Sequence, residues 1–211
     1  MMNLRFDHEK ATQAINFFAR QSGGAVNKLA ALKLVYMADR YHLRKYGRPV
    51  IGDTYFAMKL GPVASAVKDI AEGDFLDEQV EEYATKYIEP IVRSDGNVYT
   101  VKSVADVDED VFSDSDLEAL HFAVRTFGDQ RKYNLSDITH AYPEWKRHSG
   151  DIPLFKRIQM DYMDFFLNAE PGAHELRSIG YVDHFEESDE RLQTAKEMFE
   201  ETCRISSQLS K

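Results

Sequence analysis

The chain has 211 residues, 43 % hydrophobic and 29 % charged with only 6 Pro and 11 Gly, which is the make-up of a folded protein of about one domain. One cysteine, Cys203, excludes an internal disulfide framework and any cysteine-based zinc site. The net charge of −10 argues against a nucleic-acid binder; with no long apolar run and no signal-peptide core at the start, the expected location is the cytoplasm.

Residues 7–21 read as a helix, with Ala11, Ile15 and Phe18 at helical spacing, Asp7 as cap and Ser22-Gly23-Gly24 as stop. Asn27 caps a second helix that runs to Tyr46, with Gly47 placed to end it. Its first half, Leu29 to Ala38, is apolar almost all round and belongs inside a helical domain. Its second half, Asp39 to Tyr46, is amphipathic and is expected to emerge toward water. After a loop at 48–53, residues 54–60 suit a short strand that Gly61-Pro62 breaks, and a helix restarts over 63–72. Segments 87–93 and 97–101 flank Ser94-Asp95-Gly96 and predict a β-hairpin. Ser113-Asp114-Ser115-Asp116 opens a helix ending near Gly128, and Ser136 is expected to cap another toward Tyr142, followed by Pro143-Glu144-Trp145-Lys146. Residues 154–168 are expected to be helical, and 170–173 and 178–180 to be loops. A last helix runs from Ser188 to about Leu209, with Leu192, Ala195, Met198 or Phe199, Thr202 and Ile205 along one side. The expected fold is therefore α+β: one mainly α-helical domain over residues 1–185, built around a buried central helix with a small antiparallel sheet or hairpin. Residues 186–211 then form a C-terminal helix that packs back on the domain or joins an interface.

Charge is unevenly distributed. Residues 28–68 hold eight Lys/Arg against two Asp, and residues 69–120 hold sixteen Asp/Glu against three Lys/Arg. The simplest reading is two solvated faces of opposite sign; the sharper one makes one block a docking surface. The seven histidines show no metal-ligand spacing, and nucleophile-elbow, P-loop and dinucleotide fingerprints are absent. Cys203 lies near Glu200 and Glu201, which disfavour its thiolate. No catalytic residue, metal or cofactor is assigned, and the chain is read as a non-enzyme.

One segment carries a stronger signal. Tyr36, Ala38 and Tyr41 lie on the central helix, Gly47-Arg48-Pro49 marks its exit, and Gly61-Pro62-Val63 follows the short strand. A weaker second block is Leu135-Ser136-Asp137-Ile138-Thr139-His140 with Pro143-Glu144-Trp145. In order and spacing these resemble the core motif of the Panacea family of SocA-like and phage-associated GepA-like domains, over residues 10–165. The resemblance implies a protein-binding antitoxin of a bacterial or prophage toxin–antitoxin system, neutralising a cognate toxin encoded next to it. It also implies an alternative role as an adaptor that hands the toxin to a bacterial ATP-dependent protease. Readings from other classes are a DNA-binding autorepressor, which the net charge opposes and the basic block leaves open, and an enzyme, for which no constellation exists.

Chain geometry alone explains Gly47, Pro49, Gly61 and Pro62. It does not require the charges of Arg40, His42, Arg44, Arg48 and Lys59, which are expected on or just after the exposed half of the helix. Tyr and Arg dominate interface hot spots, so Tyr41, Tyr46 and Tyr55 join them. The expected partner-binding set is thus Arg40, Tyr41, His42, Arg44, Tyr46, Arg48, Tyr55 and Lys59, with the acidic block steering the encounter.

Overall fold

A computed structural model of the chain describes residues 4–75, 77–178, 180 and 182–209. Helix α1 (His8–Gln21) starts where the Asp7 carboxylate accepts the Lys10 N–H at 3.0 Å, and it ends at Ser22. Strand β1 (Ala25–Asn27) leads into α2 (Lys28–Tyr46), whose first turn is capped by the Asn27 side chain. Gly47 closes α2 in the left-handed conformation at φ 65°, which a residue with a Cβ adopts only under strain. Next come β2 (Tyr55–Met58), β3 (Gly61–Ala64), α3 (Ser65–Glu72) and α4 (Glu78–Tyr87). The hairpin of β4 (Ile88–Val92) and β5 (Val98–Ser103) follows, then α5 (Asp114–Phe127), opened by a capping box between Ser113 and Asp116. The remainder is α6 (Lys132–His140), α7 (Pro143–Lys146), β6 (Arg157–Gln159), a 3₁₀ turn at Tyr162–Phe166, α8 (His174–Ser178) and α9 (Asp189–Leu209). The mainly helical α+β class is what the sequence predicts.

Helix α2 is the hub. It packs against α1, α5, α6, α9 and β3, and Val35, Tyr36 and Met37 have no exposed surface. The strands form two antiparallel three-stranded sheets in the orders β1-β5-β4 and β3-β2-β6. In the second, Ala57 faces Pro62 of β3 on one side and Ile158 of β6 on the other.

Five expectations need correction. Gly61-Pro62 does not break a strand into a helix; both residues belong to β3, and Pro62 is tolerated because β3 is an edge strand. Gly61 is required there, since a Cβ would lie 2.3 Å from Thr139 Oγ1. Ser136 sits inside α6, where its hydroxyl donates to the Leu60 carbonyl at 2.7 Å instead of capping a helix. Residues 154–168 form β6 and a 3₁₀ turn because β2 offers a free edge that pairs Phe56 with Gln159 and Met58 with Arg157. Part of the loop expected at 178–180 is the end of α8, and Ile179 lies outside the described residues. The second half of α2 emerges toward water on one side only: Tyr41, Lys45 and Tyr46 keep surface, whereas α5, α9 and the 162–168 segment cover Asp39, Arg40, His42, Leu43 and Arg44.

Helix α9 packs back on α2 and on the 3₁₀ turn. Its inward side is Leu192, Ala195, Phe199 and Cys203, all buried, whereas Met198, Thr202 and Ile205 face out. The seat is tight at Gly47: a Cβ there would come within 2.5 Å of Met198 Cβ and 2.6 Å of the Ala195 carbonyl oxygen.

Candidate functional site

The polar residues of α2 fall into two groups. Asp39 accepts the Val50 N–H at 2.8 Å, the Ile51 N–H at 3.2 Å and the Tyr55 hydroxyl at 3.0 Å, so it fastens the loop after the helix. Burial pushes its carboxyl up to about 7 against those three donors. Arg40 is fully buried, paired with Glu144 of α7, and donates to the Phe165 and Leu167 carbonyls at 3.3 and 3.1 Å. The Tyr36 hydroxyl donates to the same Glu144 oxygen, and the Tyr142 ring lies 4.1 Å from the Arg40 guanidinium. Arg44 gathers the carbonyls of Phe165 at 2.8 Å, Leu167 at 2.9 Å and Phe185 at 2.8 Å, together with the Asn168 side chain. His42 places Nδ1 2.7 Å from the Arg48 carbonyl and Nε2 3.0 Å from Ser115 Oγ, and burial lowers it to about 4. These four residues, with buried Tyr55, hold the fold together from inside. Arg40, His42, Arg44 and Tyr55 therefore lack the exposure that the sequence leads one to expect.

The other group is at the surface. Tyr41, Lys45 and Tyr46 all direct a hydrogen bond to the Glu118 carboxylate of α5. Tyr41 stacks on Phe122 with centroids 4.1 Å apart, and the Lys45 ammonium lies 5.3 and 5.2 Å from the centres of the Tyr41 and Tyr46 rings. The Lys45, Tyr41 and Tyr46 donors hold Glu118 down at about 2, so the cluster keeps its charge at any physiological pH. Arg48 is partly exposed beside it, pairing with Asp116 at 2.9 Å and donating to Ser113 Oγ at 3.0 Å. Lys59 is exposed too, but on the β2–β3 turn, which packs on α6 and the first half of α2.

Two depressions flank Lys45. One, of about 540 Å³, runs between the exit of α2 and the start of α9, with Tyr46, Glu187, Arg191, Ala195 and Met198 in its walls. The other, of about 200 Å³, lies between Tyr41, Lys45, His184 and Phe185. Two aromatic rings are thus held around a Lys45–Glu118 ion pair at the surface, with a depression on either side. Among the described residues no group of three His, Cys, Asp or Glu is placed to hold a metal ion. No helix among them is long and apolar enough to cross a membrane.

The residues missed from sequence are Lys45, Glu118, Arg191 and Met198. Lys45 stands beside two nominated residues and is found by the i, i+4 step from Tyr41. Glu118 is one acidic residue among sixteen in its stretch, and no local pattern singles it out.

A family model described as the antitoxin SocA-like Panacea domain matches residues 32–146. Neither the curated proteins nor the solved structures contain a match to this chain.

Proposed function

The chain belongs to the family of SocA-like antitoxins built on the Panacea domain, and from that premise we propose that it neutralises a cognate toxin by binding it directly. The contact surface is the exit of α2, centred on Tyr41, Lys45 and Tyr46, extended by Arg48 and by the outer side of α9. The observation that carries this reading is the fixed Tyr41–Lys45–Tyr46 cluster on Glu118, open to solvent between two depressions. Ordering these side chains before an encounter lowers the entropic cost of association. The acidic block at 69–120 steers a cationic partner, raising the encounter rate more than the lifetime of the complex.

The test is co-expression with the product of the neighbouring gene, the first candidate toxin, read as growth rescue and as capture of the toxin by a tagged copy of this chain. Tyr41→Ala with Tyr46→Ala should weaken capture by roughly 2 kcal/mol or more while leaving the fold intact. Full rescue by that double variant would remove the surface from consideration. A toxin that vanishes instead of accumulating in complex would replace neutralisation with delivery to a protease.

A further inference from the structure

A second surface lies away from the exit of α2. A slot of about 150 Å³ is walled by Phe6, Ile70, Phe75 and Val80 and rimmed by Asp69, Asp74 and Asp77. It opens into a shallower depression that shares Phe6, Ala66 and Asp69 with it, and Arg157 forms part of that depression's wall. The chain just before Arg157 is unusual. Leu154 is 76 % exposed and Phe155 61 % exposed, side by side at the tip of a turn held by their N–H groups donating to the Asp151 carbonyl at 2.9 and 3.0 Å. Lys156 and Arg157 follow, and Arg157 is stacked over Phe56 at 3.8 Å. The two neighbouring side chains form a small apolar patch directly before two cations.

We propose that the chain pairs with a second copy of itself, each copy seating its Leu154–Phe155 tip in the acid-rimmed slot of the other. At about 150 Å³ the slot matches one phenyl ring or leucine side chain, and its three aspartates are opposite in charge to the two cations that follow the tip. The rim charges are not all free: Lys68 pairs with Asp69 at 3.1 Å, and Asp77 accepts the Gln79 N–H at 2.8 Å. Asp74 is exposed on the rim and is the natural partner for the incoming Lys156. Arg157, two residues past the tip, lines the depression that adjoins the slot, so reciprocal seating of the two tips about a two-fold axis would close the assembly at two copies. With one seated apolar anchor per copy, the dimer is weak and concentration-dependent.

Sedimentation velocity on the full chain, from about 1 µM to about 1 mM, should show a monomer–dimer equilibrium. Leu154→Asp with Phe155→Asp should abolish it. Lys156→Glu and Asp74→Lys should each weaken it about tenfold, and the two together should restore it, because each new glutamate then meets a new lysine. All these side chains are exposed, and unchanged thermal melts would show that the fold is kept. A chain that stays monomeric throughout overturns the proposal, as does a dimer indifferent to the tip variants or a charge swap that fails to restore pairing. Loss of toxin capture by the tip variants of a monomeric chain would overturn it too and assign the tip to the toxin.

Discussion

Residues 39–46 place two regions of opposite character on one helix. On the inner side, Asp39, Arg40, His42 and Arg44 are buried, and each is spent on the backbone or side chains of a segment distant in sequence: the 50–51 loop, the 165–168 segment, Ser115 and Phe185. On the outer side, Tyr41, Lys45 and Tyr46 share a single surface carboxylate. The inner charges lie within the apolar core, beside Tyr142, Phe165 and Phe185, and tie irregular chain to the hub where no regular ladder reaches it. The outer ones do little for the fold and leave a rigid surface exposed. Charge in a sequence is therefore no guide to exposure in this helix.

The contrast can be broken most directly at Arg40. Arg40→Met strands the buried Glu144 carboxylate, and should cost about 3–5 kcal/mol in chemical denaturation. A loss below about 1 kcal/mol would show that the inner group is not structural. Gly47→Ala probes the boundary between the two regions. Left-handed strain and the encroachment on Ala195 and Met198 should cost about 1–3 kcal/mol and loosen α9 first, seen as faster amide exchange there than in α1.

His42 makes the inner group sensitive to pH. Its folded value of about 4 lies below the ordinary 6.5, so the unfolded chain takes up the proton first on acidification. Its contribution is fully present above pH 6.5 and is lost as pH falls toward 4, on the order of 1–3 kcal/mol. Asp39, raised to about 7, works in the opposite sense across much of that window, so the useful quantity is a difference. Wild type should lose more stability than His42→Gln between pH 6.5 and 4.5, followed by urea melts. Equal losses would mean that His42 is solvated. The smallest effect is expected outside: Lys45→Ala should change stability by less than about 1 kcal/mol, since its ion pair is half in water.

Local signals made much of this fold legible. The caps at Asp7, Asn27 and Ser113, the left-handed Gly47 and the hairpin around Ser94-Asp95-Gly96 depend on neighbours a few residues away, and all stand where the sequence puts them. What stayed hidden depends on distant partners. Nothing near Arg44 announces that the carbonyls of Phe165 and Phe185 will close over it, 121 and 141 residues further on. Residues 157–159 become a strand only because β2 has an edge to offer, and Pro62 joins one for the same reason. Of the nominated contact residues, Tyr41, Tyr46 and Arg48 are accessible near one another. Glu118, which orders the first two, was out of reach because its role exists only once α5 lies across α2.

The seat of α9 has a consequence for how such a protein can diversify. Leu192, Ala195 and Phe199 fix where the helix lies, while Arg191, Thr194 and Met198 on its other side wall the larger depression. The family match ends at residue 146, well before this helix. A lineage can therefore rewrite that wall at Arg191 and Thr194 by substitutions that leave the hub alone, whereas Ala195 and Met198 also abut Gly47 and are held by both demands. Selection for a new partner and selection for folding then act largely on different sides of the same cylinder, with a small residue at position 47 as the toll for keeping that cylinder in place.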